Sequence, residues 1–113
     1  MSEKEVVIEF ENCSAADADQ FAKELAELLS EKQLNSNVRK SRAGTQNAGD
    51  LVSILFDPAV ISALVTVITV FLKRNTGVTI IVKDKNGEKI ANNLDSRDAP
   101  KMAEAFARAP TRE

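Results

Sequence analysis

The N-terminal segment alternates apolar and charged side chains with a period of two. The apolar positions are Val6, Ile8 and Phe10, and the charged positions between and beside them are Glu5, Glu9 and Glu11. Because successive side chains of a strand point to opposite faces, this segment is predicted to be a strand with one face in the core and one in water. Val7 is the only break in the pattern.

A helical period follows from Ser14, a residue suited to an N-cap. Four apolar residues share one stripe of this helix, and four charged residues fall elsewhere: Phe21, Leu25, Leu28 and Leu29, against Lys23, Glu24, Glu27 and Glu31. The helix is predicted to end at Asn35-Ser36-Asn37, and Val38 to Ser41 to form a short strand at a sheet edge. Residues 42–50 hold two glycines and no apolar residue larger than alanine, which predicts a flexible loop.

The segment from Ala59 to Leu72 carries no charge over fourteen residues. Asp57-Pro58 precede it as an N-cap and a first helical position. Its polar residues and the lysine after it recur at steps of four, three and four: Ser62, Thr66, Thr69 and Lys73. These steps place them on one stripe of a helix but on both faces of a strand, so a helix packed against the sheet is predicted. Leu51 to Phe56, just before it, fits either a strand or a helical turn.

The C-terminal part predicts a hairpin and a third helix. Asn75-Thr76-Gly77 ends the central helix, and Asn86-Gly87 is a strong hairpin turn signal. The hairpin strands are predicted around Val78 to Val82 and Glu88 to Ala91. Asp95 or Ser96 is expected to cap the last helix, whose inner stripe is Ala99, Met102, Ala103 and Phe106, before Pro110 ends it and a disordered tail follows from about residue 109. The prediction is one compact α+β domain over residues 1–113, ordered β-α-β-α-β-β-α, with a mostly antiparallel or mixed sheet packed against helices.

The apolar stretch from Leu51 to Leu72 also raises a membrane alternative. Pro58 breaks it and leaves an unbroken run about 21 Å long at 1.5 Å per residue, against roughly 30 Å of hydrocarbon. A buried helix is therefore favoured. The alternative is a membrane-associated small protein that uses residues 51–72 as an anchor or inserting helix, with Lys73-Arg74 as its flank.

Composition narrows the partners and the compartment. The formal net charge of −2, with five Phe and neither Trp nor Tyr, disfavours nucleic acid, which needs basic surfaces and stacking platforms. The single Cys13 cannot form an internal disulfide, and Glu3 and Glu5 interrupt any apolar signal sequence. A cytoplasmic protein is expected.

No set of residues in the sequence converges on a reaction. The chain has no His, which removes the usual general base near neutral pH and the commonest metal ligand. Cys13 lacks the arginine six residues on that a phosphatase-like loop requires, since that position is Asp19. Gly44 to Asp50 has a carboxylate where a phosphate-binding loop has lysine. We therefore predict no catalytic residue, no cofactor site and no metal site, and expect a protein that is not an enzyme.

Two surfaces remain as candidates for protein contacts. Arg39, Lys40 and Arg42 form a basic edge, which either docks an acidic partner or keeps an edge strand from unwanted pairing. Ser62, Thr66 and Thr69 form a stripe that either faces solvent or lets another helix approach closely. The second option implies assembly, with a homo-oligomer among the possibilities.

The segment from Leu51 to Phe106 resembles the small bacterial proteins called effector-associated constant component. The shared features are the apolar helix ending in Phe71-Leu72-Lys73-Arg74, the strand Val78 to Val82, the Asn86-Gly87 turn and the closing helix after Asp95. The aromatic residue often met near the end of the family's central helix is here only Phe71.

Members of that family have no recognised catalytic site. They are inferred to be an invariant partner encoded beside variable effectors, such as caspase-like or trypsin-like peptidases, in bacterial conflict systems. The resemblance implies a non-enzymatic adaptor or regulatory component of a conflict or anti-phage defence system that binds an effector protein. It carries over no functional residues.

Overall fold

The computed structural model describes residues 3–39 and 50–111. The elements in these ranges are β1 (Lys4–Glu11), α1 (Ala15–Glu31), β2 (Asn35–Arg39), β3 (Leu51–Phe56), a 3-10 turn (Pro58–Val60), α2 (Ile61–Arg74), β4 (Thr79–Lys83), β5 (Lys89–Leu94) and α3 (Ala99–Arg108). The predicted α+β class is confirmed. The predicted order of strands and helices is found, with one strand added. Leu51–Phe56, which fitted either a strand or a helical turn in the sequence, is a strand.

The strands form one sheet in the order β2-β3-β1-β4-β5, and every neighbouring pair is antiparallel. At its centre, Ile8 of β1 lies opposite Val52 of β3 on one side and Val82 of β4 on the other. β1 and β2 are joined through α1 but have β3 between them, while β3 and β4 are joined through α2 but have β1 between them. This is the split β-α-β arrangement of ferredoxin-like folds, to which β5 and α3 are added beside β4.

One face of the sheet is covered by all three helices. The inward residues of the strands and helices form a single core that includes Ile8, Ile54, Leu25, Leu64 and Phe106. Aromatic rings join the layers at both ends, because Phe10, Phe21 and Phe71 have centroids 5.5–6.0 Å apart and Phe56 meets Phe106 at 5.7 Å. The core is aliphatic with aromatic contacts between sheet and helix.

The opposite face of the sheet carries no helix among the described residues. Its positions alternate with the core positions along each strand and are mixed in chemistry: Glu5, Val7, Glu9, Leu51, Ser53, Leu55, Ile81 and Lys83. The prediction that the acidic residues of β1 share the face opposite Val6 and Ile8 is confirmed by the register.

The end of α1 and the start of β2 differ from the sequence prediction. Asn35-Ser36-Asn37 was expected to end the helix, but α1 ends at Glu31 and these residues begin β2. The chain reverses at Gln33, which has a φ of 60°, while the Leu34 amide donates to the Leu29 carbonyl at 2.9 Å. Pairing of residues 35–39 with β3 thus overrides the low strand propensity of Asn and Ser.

The start of α2 is also shifted. Asp57 caps as predicted, since its carboxylate accepts the Ala59 amide at 2.8 Å, but it caps the 3-10 turn that contains Pro58. The α-helix begins at Ile61 and continues two residues past Leu72, to Arg74. A tight first turn of this kind is common at helix starts.

The C-terminal third of the chain has the predicted hairpin and helix, but their boundaries differ from the predicted ones. β5 extends to Leu94, and α3 begins at Ala99, with Asp98 rather than Asp95 or Ser96 at the N-cap position. The Asp95 carboxylate accepts the Arg97 amide at 2.8 Å, so it stabilises the preceding turn instead.

The described chain continues to Thr111, past residue 109, where a disordered tail was predicted to begin. Ala109 is buried, and Thr111 forms an isolated antiparallel bridge with Lys4. The Lys4 ammonium also donates to the carbonyls of Ala107 and Ala109, at 3.1 and 2.6 Å. It thereby satisfies one carbonyl in the last turn of α3 and the carbonyl of the C-cap residue. Residues 112–113, and the loop predicted over residues 42–49, lie outside the described residues.

Candidate functional site

The outer face of α2, defined by Ser62, Ala63, Thr66 and Val70, is the first candidate. α2 packs against α1 on one side and α3 on the other, so this face lies in the middle of the helix layer. All four residues are exposed, and Val70 is 40% exposed. The steps of three and four between them place them on one stripe of the helix. An uncharged strip therefore crosses the centre of the helical surface.

The hydrogen bond made by Thr66 makes this strip less polar than its composition suggests. The Thr66 hydroxyl donates to the carbonyl of Ser62 at 3.0 Å. Because this bond uses the hydroxyl proton inside the helix, what Thr66 offers a partner is chiefly its methyl group.

Thr69, the third residue of the predicted stripe, lies differently. It is half-buried, and its hydroxyl oxygen is buried without a hydrogen-bond partner. A buried hydroxyl without a partner costs free energy relative to a methyl group of the same size. Thr69 therefore belongs to the flank of α2, while Ser62 and Thr66 belong to its outer face.

Polar contacts hold the C-terminal end of α2 against α1. The Asn75 side-chain amide donates to the Phe71 carbonyl at 2.9 Å and to the Glu24 carboxylate at 3.3 Å. Arg74 lies 4.0 Å from the same carboxylate. The outer face of α2 is thus fixed from the core below and from α1 at its side.

The edge strand β2 is the second candidate. It carries Arg39 at its end, and all of its residues except Ser36 are exposed. Val38 is 39% exposed, comparable to Val70. Of the predicted basic edge, the structure places Arg39 on β2, whereas Lys40 and Arg42 lie outside the described residues. β2 lies at the sheet edge and the outer face of α2 lies on the helix layer, so Arg39 is on a different surface from Ser62 and Thr66.

The open face of the sheet is held by its own polar contacts. Lys83 pairs with Glu9 at 2.8 Å, and the Ser53 hydroxyl donates to Glu5 at 3.1 Å. Ile81, which lies opposite Glu9 in the register, is 7% exposed although no described helix covers it. Glu5, Glu9 and Lys83 thus each have a polar partner on this face.

Cys13 is half-buried, and no described residue beside it lowers the pKa of its thiol. Burial raises the pKa of its thiol, and the Asp17 carboxylate raises it further. Both effects disfavour the nucleophilic thiolate. Within residues 3–39 and 50–111, no group of three or more Cys, Asp or Glu could hold a metal ion.

Asp95 and Asp98, the two acidic residues before α3, stabilise a turn. The Asp98 carboxylate accepts the Asp95 amide at 2.9 Å, and Arg97 pairs with Asp95 at 3.0 Å. Hydrogen bonds from Arg97 lower the pKa of the Asp95 carboxyl. The two carboxylates are used in closing the turn between β5 and α3.

Comparison with known proteins gives one likeness in structure. No family model matches the sequence, and no curated protein matches it. A solution structure of the de novo designed protein LFR1 1, described as having a ferredoxin fold, is similar at a TM-score of 0.42 and 18% sequence identity. That likeness covers 73% of this chain and 85% of the designed one.

The structure adds residues that the sequence did not single out. Ala63 and Val70 complete the outer face of α2, but in the sequence they are indistinguishable from the core-facing residues of an uncharged helix. Their position relative to Lys73 was an available signal, because a charged residue at the end of a helix normally marks the solvent side.

In the described part of the chain, no helix is long and apolar enough to cross a membrane, and residues 51–72 are divided between β3 and α2.

Proposed function

We propose that this chain is a non-enzymatic adaptor or regulatory component of a bacterial conflict or anti-phage defence system. It would belong to the effector-associated constant component family that the sequence resembles. In this proposal it acts in the cytoplasm and binds an effector, such as a caspase-like or trypsin-like peptidase, through protein contacts rather than nucleic acid.

The observation that carries the proposal is the uncharged outer face of α2. Surface helices normally carry charged residues on the side that faces water. α2 has none on that side from Ser62 to Val70, and Thr66 has its hydroxyl bonded within the helix. An exposed strip of this kind suits a partner that brings its own apolar surface.

The way α2 is held supports a binding role. Its inner residues Leu64, Ile68 and Phe71 are fully buried in the core, and Asn75 ties its end to α1. A surface that is already fixed loses little conformational entropy when a partner binds. The small side chains Ser62 and Ala63 let a partner helix approach closely, so packing of helix on helix is the expected mode.

Co-purification with the products of the adjacent genes tests the proposal. The wild-type chain is expected to retain one of these products, and Val70→Lys is expected to weaken binding by about tenfold or more, which corresponds to about 1.4 kcal/mol. The matched control is Ala107→Lys, which adds the same charge at an exposed position in the last turn of α3.

Three outcomes bear on the proposal separately. Retention of a neighbouring product by the wild type and by Ala107→Lys, with loss in Val70→Lys, supports both the adaptor role and the surface. Equal binding by the wild type and both variants would show that the binding site is not on the outer face of α2. Failure of every adjacent product to bind would overturn the adaptor role itself.

A ligand screen tests the non-enzymatic part of the proposal. Thermal unfolding is expected to be unchanged by nucleotides, common metabolites and divalent metals. A reproducible rise in Tm with one of these compounds would indicate a small-molecule site and would contradict this part of the proposal.

A further inference from the structure

The outer edge of β2 is regular and has no partner strand among the described residues. β2 pairs with β3 on its inner side through five consecutive residues, Asn35 opposite Leu55 to Arg39 opposite Leu51, without a register shift. In an edge strand, alternate backbone N–H and C=O groups point outward and are free to pair. The residues are mostly exposed and include one charge, Arg39.

The other edge of the same sheet is protected. β5 pairs with β4 through two register shifts, and its Asn93 has a φ of 55°. Its first residue, Lys89, is exposed. Irregular register and lysine are devices that natural sheets use to prevent pairing at an edge. β2 has neither a bulge nor a proline, and its one charged residue, Arg39, lies at its end, so the β2 edge is the more regular of the two.

We propose that the β2 strands of two copies of this chain pair antiparallel about a two-fold axis at Asn37, which joins the two sheets into one of ten strands. This inference does not rest on the adaptor role. It uses the edge of the sheet, whereas the adaptor proposal uses the outer face of α2.

The distribution of charge on β2 favours a second copy in this orientation. With Asn37 opposite its counterpart, Arg39 lies opposite Asn35 of the other copy, and all five residues are paired. The two Arg39 positions are then about 14 Å apart along the strand direction, at roughly 3.4 Å per residue. Parallel pairing would bring the two arginines side by side, where like charges repel.

Val38 gives the pairing an apolar contribution. It lies opposite Val52 on the helix-covered face of the sheet, yet it is 39% exposed. In the proposed register it lies opposite Ser36 of the other copy. The pairing therefore covers one of the two large apolar side chains that the described chain leaves exposed.

Cysteine cross-linking tests both the pairing and its register, in the Cys13→Ser background so that only the introduced thiols react. Asn37→Cys is expected to form a disulfide-linked dimer under mild oxidation, because directly opposite Cα atoms lie about 4.5–5.5 Å apart. Asn35→Cys and Arg39→Cys are expected to cross-link poorly alone but readily when the two variants are mixed. Asn92→Cys, exposed on β5, is the control for random collision.

The mass in solution supplies the second measurement. The wild type is expected to show a concentration-dependent dimer by light scattering, Asn37→Lys to be a folded monomer, and Asn92→Lys to behave as the wild type. The inference is overturned if the wild type stays monomeric across the concentration series, if Asn37→Lys dimerises unchanged, or if Asn92→Cys cross-links as fast as Asn37→Cys.

Discussion

The two faces of α2 are alike in carrying no charge before Lys73 and opposite in environment. The inner face, with Leu64, Ile68 and Phe71, is fully buried, whereas the outer face, with Ala63, Thr66 and Val70, is exposed. Neither face carries a charge before Lys73. An uncharged helix is therefore not necessarily buried on every side. Four substitutions measure how different the two faces are in free energy.

Leu64→Asp is expected to have the largest effect. An unpaired carboxylate in the aliphatic core costs several kcal/mol, a large part of the 5–15 kcal/mol or so that stabilises a typical domain. The variant is expected to lose its cooperative thermal transition in circular dichroism. Ala63→Asp, one residue earlier but on the outer face, is the control and is expected to melt cooperatively. A Leu64→Asp protein that melts like its control would show that this position is not in the core.

Phe71→Ala is expected to cost about 3–5 kcal/mol, the usual range for removing a buried aromatic ring. The ring contacts Phe10 and Phe21, with centroids 5.5 and 5.8 Å away, so its loss leaves a cavity where sheet and helices meet. Urea denaturation should show a lower midpoint with an unchanged slope. A cost below about 1 kcal/mol would mean that the neighbouring rings collapse into the space.

Thr69→Val is expected to stabilise the protein by about 1 kcal/mol, because it replaces a buried hydroxyl that has no partner with a methyl group of similar size. Thr66→Val is the paired control on the outer face. Its hydroxyl is already bonded to the Ser62 carbonyl, so its replacement should change the unfolding free energy little. If the two variants are equally stable, the Thr69 hydroxyl has a partner in solution, such as water.

Val70→Lys is expected to have the smallest effect on folding, within about 0.5 kcal/mol, as is usual for exposed positions. A lysine near the C-terminal end of a helix is also favoured by the helix dipole. The same change is expected to weaken effector binding, so its unfolding curve should overlay that of the wild type. A large loss of stability would show that Val70 packs against the protein more than its exposure indicates.

The sequence predicted the elements whose signal is local. The alternation in β1, the apolar stripe of α1 and the Asn86-Gly87 turn each depend on neighbours in the chain, and each matches the structure. Asn35-Ser36-Asn37 was predicted to end the first helix. Its pairing with β3 is a contact between distant residues and has no local signature.

For the candidate surfaces too, the sequence predicted what depends on local spacing and missed what depends on contacts between distant residues. The stripe of Ser62 and Thr66 followed from helical spacing alone, and both residues are exposed. Thr69 has the same spacing, but it lies on the flank of α2 and its hydroxyl is buried. The contrast between the regular β2 edge and the irregular β5 edge needs the strand order, which a single sequence does not specify.

The bridge between Lys4 and Thr111 brings the beginning and the end of the described chain side by side. A short linker could therefore join residues 4 and 111, and the chain could be reopened between Asn86 and Gly87, where the hairpin turn is exposed. Such a circular permutant would keep every strand pair of the sheet. Its new ends would lie at the turn that now joins β4 and β5. It would turn the present ends into an internal loop and free the hairpin tip for attaching a label or a second domain.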